Sequence, residues 1–290
     1  MDYILHLAIL ICIYTILAQS LSLVAGYSGQ ISLAHAGFYG IGAYTTALLS
    51  VNFDMPIFIN LFVALFISGL IAFVVSKVAV KTIDDYYIII TLGIQVVIYS
   101  IMNNWQEVTR GPLGIPGIPS INIFGFAFES KVSFLLLSAF FMVLVWYILH
   151  HITSSPFGRV LRALSEDEIY TKSLGKNVYN AKIVSFVISA MMASIAGVLY
   201  AHYISYIDPT SFTVDESIFI LSIVIIGGMR NLKGIFFATV FLILLPEALR
   251  FVGMPSSIAA NMRQIIYGIA LIVVIYRMGS KKIVRKSNSN

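Results

Sequence analysis

Apolar residues run along this chain in long uncharged stretches broken by short polar punctuation. A helix rising about 1.5 Å per residue needs roughly 20 apolar residues to cross a hydrocarbon layer of ~30 Å. Runs of about that length fall near 3–24, 31–50, 57–76, 86–102, 132–149, 183–204, 217–229, 235–251 and 258–276. The pattern predicts an all-α, polytopic helical membrane protein with about nine transmembrane helices, some of them re-entrant. Residues 1–290 read as a single transmembrane domain, with one cytoplasmic loop at 150–182 inside it. Composition agrees: 59% of the 290 residues are apolar and 11% charged. Soluble domains carry about 25% charge, so a water-soluble globule is excluded.

Lysine and arginine set the orientation, because short loops rich in them stay in the cytoplasm. The loop after the fifth run carries Arg159, Arg162, Lys172, Lys176 and Lys182, and the tail carries Arg277, Lys281, Lys282, Arg285 and Lys286. Both are predicted inside, together with Lys77 and Lys81, leaving segment 103–131 and the N-terminus outside. The net charge of +5 therefore reads as a topology signal. No basic face is interleaved with aromatics, so no nucleic-acid partner is expected. The start, Met1-Asp2-Tyr3, lacks the basic residues of a signal peptide, and the first run is read as a permanent span. A lone Cys12 inside that run allows no intrachain disulfide and reads as core.

Two runs fit a simple span poorly. The second opens Gly26-Tyr27-Ser28-Gly29-Gln30-Ile31-Ser32-Leu33-Ala34-His35-Ala36-Gly37 and continues through Gly40 and Gly42; the seventh is short and ends Gly227-Gly228-Met229-Arg230-Asn231. Irregular backbone at membrane depth is tolerated only against protein or a wet cavity, and paired Gly-interrupted segments point to a transport path. Gln30, Ser32, His35 and Gly37 are the path candidates, His35 because intramembrane ionisable groups are functional candidates by default. Close helix packing through small residues, and a hydrogen-bonded structural role for His35, are the alternatives. Gln95 is expected to bond across helices, and Glu247 to pair with Arg250 one turn on. The segment Arg110-Gly111-Pro112-Leu113-Gly114-Ile115-Pro116-Gly117-Ile118-Pro119 is expected to be a non-helical external loop, either a rigid connector or a seat for a soluble partner.

The cytoplasmic loop carries about 30 polar residues, long for a connection in a compact bundle. Ser155 can cap a helix with Pro156 at its first position. Ser165-Glu166-Asp167-Glu168 has the spacing of a capping box, with Ser165 as the cap and Glu168 reaching back. Lys172 then complements the far end and Gly175 supplies a left-handed stop. The expectation is a pair of short helices with a sharp corner at Ser165, stiff enough to transmit force.

The run Gly158-Arg159-Val160-Leu161-Arg162-Ala163-Leu164-Ser165-Glu166-Asp167-Glu168, with Leu174-Gly175-Lys176-Asn177-Val178, resembles the coupling loop of ABC importer permeases. The glycine-rich segment 26–44, Thr91-Leu92-Gly93, Gly227-Gly228-Met229 and Leu245-Pro246-Glu247 extend the resemblance, over roughly residues 10–278, to branched-chain amino acid permeases of LivM type. The acidic cluster stands where other importer permeases carry Glu-Ala-Ala, with Ile169-Tyr170 in place of Ala-Ala. The resemblance implies a cell-membrane permease subunit partnered by a second homologous permease, two cytoplasmic ATPase subunits and an extracytoplasmic solute-binding protein. It implies an amino-acid substrate, with Arg159, Arg162, Ser165, Glu166, Asp167, Glu168 and Gly175 coupling to the ATPases. A related branch handles urea and short amides.

The chain has no phosphate-binding Gly-x-x-x-x-Gly-Lys-Ser/Thr loop, so energy must come from elsewhere. An ion-coupled carrier would need intramembrane carboxylates, and among the runs Glu247 is the one candidate. No catalytic elbow, zinc-binding helix or carboxylate pair is present, so neither an enzyme nor a metal or cofactor site is expected. His6, His202, His150 and His151 lie near span ends and read as interfacial packing.

Overall fold

A computed structural model describes residues 2–82, 84–123, 126–128, 130–251 and Gly268. The long helices are α1 (Asp2–Ser22), α2 (His35–Phe53), α3 (Ile57–Ala79) and α4 (Asp84–Asn104), followed after a short α5 (Gln106–Thr109) by α6 (Lys131–Ser154). Then come α7 (Pro156–Glu166), α8 (Glu168–Ser173), α9 (Val178–Ile204), α10 (Val214–Gly227) and α11 (Leu232–Phe251). Among the described residues five spans are long and apolar enough to cross a membrane: Asp2–Tyr27, Ile57–Ala79, Tyr86–Asn104, Lys131–Ser154 and Val178–Ile204. The chain is thus a multi-pass helical membrane protein. The run 258–276 predicted as a ninth helix lies outside the described residues, Gly268 apart.

Helix α9 is the inner column, in contact with α1, α2 and α3. Its buried face is mostly small: Ser185, Ser189, Ala190, Ala193, Ser194, Ala196, Gly197 and Ala201. In hydrocarbon, apolar side chains gain nothing by leaving lipid for protein, so helices associate through close packing, which small residues permit. A Cβ at Gly42 would overlap the Ser194 carbonyl, and one at Gly197 would overlap the Tyr39 carbonyl. Outward faces carry large apolar residues instead, including Phe62 and Phe66 on α3, Val97 on α4 and Phe140 on α6.

Two helices begin partway into the bundle. The end of α1 widens into a π-helical turn at Leu23–Tyr27, and residues 28–34 are then non-helical. His35 Nε2 lies 2.7 Å from Ser20 Oγ and 3.1 Å from the Leu17 carbonyl. Those residues sit 7 to 10 positions before Tyr27, so the chain has doubled back by roughly 10–15 Å along α1 before α2 starts. Approaching from the other end, a 3-10 turn at Pro209–Phe212 leads into α10. The two new N-termini meet: the Ala36 N–H donates to Ser217 Oγ at 3.0 Å.

A helix start leaves backbone N–H groups without intrahelical partners. Here α4 satisfies them. Gln95 Oε1 accepts the Gly37 N–H at 2.6 Å while its Nε2 donates to the Phe212 carbonyl at 2.7 Å. Thr91 Oγ1, one turn earlier, accepts the Leu33 N–H at 3.1 Å. The expected interhelical role of Gln95 is what the structure has, and it joins both broken segments at once.

Past the C-terminal end of α9, strand β1 (Ile115–Pro116) pairs antiparallel with β4 (Tyr206–Ile207), while a second small pairing joins β2 (Asn122–Ile123) to β3 (Phe126–Ala127). His202 anchors this loop, its Nδ1 2.8 Å from the Pro119 carbonyl and its Nε2 3.1 Å from Thr46 Oγ1. One sequence expectation needs correction: Gly111–Leu113 form a single 3-10 turn, because Pro112 needs no N–H at a helix start and Arg110 and Gly111 take positive φ. The glycine-rich stretch likewise owes part of its composition to packing, at Gly42 in particular.

Two outcomes follow. Gly197→Val should destabilise the protein by about 1–3 kcal/mol or prevent its accumulation, since backbone on α2 cannot yield as a side chain would; thermal unfolding in detergent measures this. Gln95→Leu should cost about 1–3 kcal/mol by stranding a buried donor and acceptor together. Hydrogen exchange at Gly37 should quicken in the same variant, whereas unchanged exchange would assign that donor elsewhere.

Candidate functional site

The loop between α6 and α9 folds as two short helices. Ser155 caps α7, its Oγ accepting the Gly158 N–H at 3.3 Å, with Pro156 in the first turn as the sequence implied. The joint with α6 is tight, since a Cβ at Gly158 would overlap the Thr153 carbonyl. Arg162 closes that joint by donating from Nη2 to the Thr153 carbonyl at 2.9 Å and from Nε to the Gly158 carbonyl at 3.4 Å. Leu161 and Leu164 are buried on one side of α7, while Arg159 and Glu166 are exposed.

The corner falls two residues later than the spacing predicts. Ser165 lies inside α7, and its hydroxyl donates to the Arg162 carbonyl at 2.8 Å. Asp167 is the cap of α8, its Oδ1 accepting the Tyr170 N–H at 2.8 Å. The reason is tertiary: keeping Leu164 buried carries α7 through the residues that follow, and the Asp167 carboxylate is an equally good cap. Glu168 does not reach back toward Ser165. It pairs with Lys182 of α9 at 2.6 Å, where the Lys182 side chain is only 10% exposed. Helix α8 stops at Gly175 with φ +73°, the left-handed stop expected there.

Sequence reasoning missed Arg230, in the turn between α10 and α11. Its Nη1 donates to Glu166 Oε1 at 3.0 Å, Nη2 to Ser165 Oγ at 2.5 Å, and Nε to the Gly26 carbonyl at 3.0 Å. The Arg230 carbonyl in turn accepts from Tyr27 Oη at 2.9 Å. One guanidinium therefore joins the end of α7, the π-helical end of α1 and the turn between α10 and α11. The available signal was two cations, Arg230 and Lys233, after a Gly-Gly pair between two apolar runs. The fork geometry of arginine suits this three-way contact, which a lysine ammonium on a flexible stem cannot hold in one plane.

The path candidates divide. His35 and Gly37 sit in the hydrogen-bonded knot where α2 begins, and Ser32 Oγ accepts the Ala34 N–H at 3.3 Å just before it. Gln30 lies nearer the α7–α8 corner, its Oε1 accepting from Ser28 Oγ at 3.1 Å, and borders a cavity of about 900 Å³. His35, at 3% exposure, is held by α1 on its Nε2 side. The expected Glu247–Arg250 pair cannot be placed, because the Arg250 side chain lies outside what the structure describes. Among the described residues no group of three His, Cys, Asp or Glu is arranged to hold a metal ion.

Comparison with known proteins places this geometry. The chain is 34% identical over 267 residues to the high-affinity branched-chain amino acid transport system permease protein LivM of Salmonella typhimurium, a match covering 84% of this chain and 63% of that protein. The chain thus spans less than two thirds of the length of that relative. The LivH permease protein of the same system and organism is 24% identical over 238 residues, 76% of each chain. The guanosine ABC transporter permease protein NupQ of Bacillus subtilis is 24% identical over 231 residues, covering 74% of this chain and 71% of that one. No solved structure gives a significant match. The family profile described as branched-chain amino acid transport system / permease component matches residues 3–275, and to that family this chain belongs.

Proposed function

We propose that the chain is the transmembrane permease subunit of an ABC importer for branched-chain, hydrophobic amino acids. It lies in the cell membrane with its C-terminus cytoplasmic, pairs with a second homologous permease, and is driven by two cytoplasmic ATPase subunits. A solute-binding protein delivers substrate from outside. The observation that carries this reading is the Arg230 junction, which ties a displayed helix pair to the π-helical end of α1 and to the turn between α10 and α11. A motion applied to the corner at Asp167 has a rigid route to the elements that would open and close a path.

Docking on the ATPases is assigned to α8. Ile169 and Tyr170 are 82% and 62% exposed, and Leu174 is 57% exposed. Such apolar residues on a polar projection call for a partner that covers them. Arg159, Arg162, Ser165, Glu166, Asp167, Glu168 and Gly175 form the coupling unit around this knob. Within it, Arg162 stiffens the joint with α6, Asp167 and Gly175 delimit α8, and Glu168 ties α8 to α9. The segment bearing Gln30, Ser32, His35 and Gly37 is assigned to the wall of the translocation path.

Energetics separates coupling from stability. The Glu166 and Arg230 side chains are well exposed, and exposed ion pairs contribute only about 0–1 kcal/mol. Arg230→Met should therefore leave assembly intact while lowering ATP-driven leucine uptake by roughly tenfold or more, with ATP turnover uncoupled from transport. Reversing charge at Arg159 and Glu166 together, both exposed, should abolish uptake without loss of protein. Normal uptake in proteoliposomes from either variant would reject the coupling assignment. Loss of Glu168 differs, since Lys182 is nearly buried: Glu168→Ala should cost about 1–3 kcal/mol by leaving the ammonium unpaired. Lys182→Met in that background should restore most of the loss, as thermal unfolding would record. The transporter should also accumulate leucine only with its ATPases present, since accumulation by this chain alone under an ion gradient would identify a secondary carrier instead.

A further inference from the structure

Glu216 is a carboxyl group that the coupling reading does not use. It stands one residue before the seventh apolar run, in the first turn of α10, and the next residue, Ser217, takes the Ala36 N–H where the two interrupted segments meet. The residue keeps some accessible surface, but its Oε1 is closed off from solvent and has no hydrogen-bond partner. Buried polar atoms left unpaired are uncommon and ask for an explanation.

The ionisable groups that act on it are neutral or acidic. Helix α1 supplies the Tyr14 hydroxyl, which donates to the same carboxyl group, and the Tyr14 ring lies edge-on to Phe219 at 5.4 Å. Helix α2 supplies Tyr39, 1% exposed, whose own hydroxyl lacks a partner. Helix α9 supplies Tyr200, which donates to Ser211 Oγ at 3.5 Å and packs on the Tyr39 ring. The remaining acid is the neighbouring Asp215 on α10. Helices α4 and α11 also touch α10, and among the described residues they bring no charged group to bear on the carboxyl. The two ion pairs among the described residues, Lys182–Glu168 and Arg230–Glu166, lie elsewhere, so no lysine or arginine pairs with Glu216. A carboxylate kept from water without a cation is expensive, and such a group takes a proton rather than stay charged.

We propose that Glu216 is a proton-binding site whose occupancy follows the packing of α10: the carboxyl group keeps its proton while α1, α2 and α9 enclose it, and loses it when α10 parts from them and water enters. In that step the O–H bond breaks, its electron pair stays on the carboxylate, and water carries the proton away. The link to the rest of the molecule is α10 itself. Its far end runs into the Arg230 turn that contacts the end of α7, and its near end holds Glu216 against α1. A displacement of α7 that swings α10 against α1 therefore separates Tyr14 from Glu216. Because the enclosed form binds more protons, acid favours enclosure and alkali favours opening. The proton site stands on this geometry, whereas its place in an ATP-driven cycle rests on the permease reading of the preceding section.

The test uses the complete transporter, with both permeases and both ATPases in nanodiscs. The infrared carbonyl band of a protonated carboxyl group should be present in the wild type at about pH 6, where an ordinary glutamate is ionised, should fade as pH rises, and should be missing from Glu216→Gln. Tyr14→Phe withdraws a hydrogen bond from the anion and keeps the ring, so it should raise the proton affinity by roughly threefold to tenfold. Thermal unfolding gives an independent reading. Enclosure penalises the anion, so the unfolding temperature of Glu216→Gln relative to the wild type should be higher at about pH 8 than at about pH 5. If Glu216→Gln does not assemble, Tyr14→Phe decides. A wild-type band absent at about pH 6, which a buried water satisfying the anion would produce, overturns the site. So does a band unchanged in Glu216→Gln, or a proton affinity unchanged in Tyr14→Phe. Leucine uptake, followed alongside, should fall on acidification more in the wild type than in Glu216→Gln. An equal fall overturns the link to the cycle, and no uptake at any pH overturns the permease reading while the band still decides the proton site.

Discussion

An interrupted helix inside hydrocarbon is possible only if something else takes the hydrogen bonds that the break exposes. In this protein that task falls largely on one side of α4. Gln95 accepts from Gly37 and donates to Phe212, and Thr91 accepts from Leu33. Ser217 accepts the neighbouring Ala36 N–H from the opposite broken helix. Because both interruptions share Gln95, neither can shift without disturbing the other. The glycines at the crossing of α2 and α9 serve the same end, since close backbone approach holds α2 at the depth where those partners can reach it.

Much of this was legible in the residues. Long uncharged runs predict spanning helices, and Gly26–Gly37 is too polar for a lipid-facing helix; the structure leaves 28–34 non-helical. Gln95 stood out because an amide in an apolar run needs a partner. Ser155-Pro156 and Gly175 were readable because capping is decided within a few residues. The corner was misplaced for the converse reason. Ser165 and Asp167 are comparable caps locally, and the choice is made by burial of Leu161 and Leu164 against the bundle and by a guanidinium 65 positions along the chain. The three contacts of Arg230 were invisible because no periodicity or local motif encodes where a turn residue points after ten helices have packed.

The two ion pairs at the corner between α7 and α8 differ in what they can do. Lys182 is nearly withdrawn from water, so its bond to Glu168 is costly to break and fixes α8 against α9. Glu166 and Arg230 remain exposed, so their bond is cheap to break and remake. A device that transmits motion in a cycle needs both kinds: one that keeps the driven part attached, and one that can exchange partners with little loss. That exchange would happen at Arg230, where the corner meets α1 and the base of α10 and α11.

The distribution of packing then limits how such a motion would proceed. The knot around Gln95 is buried and cross-linked by hydrogen bonds, whereas the space under residues 28–31 is hollow. Close-packed interiors resist deformation and voids do not. A push on the corner at Asp167 would therefore close the cavity before it compresses the knot, and the knot would act as the pivot about which the lower ends of α1 and α10 swing. Closing the cavity and moving the corner at Asp167 would then be one displacement, shared by side chains from four separate stretches of sequence.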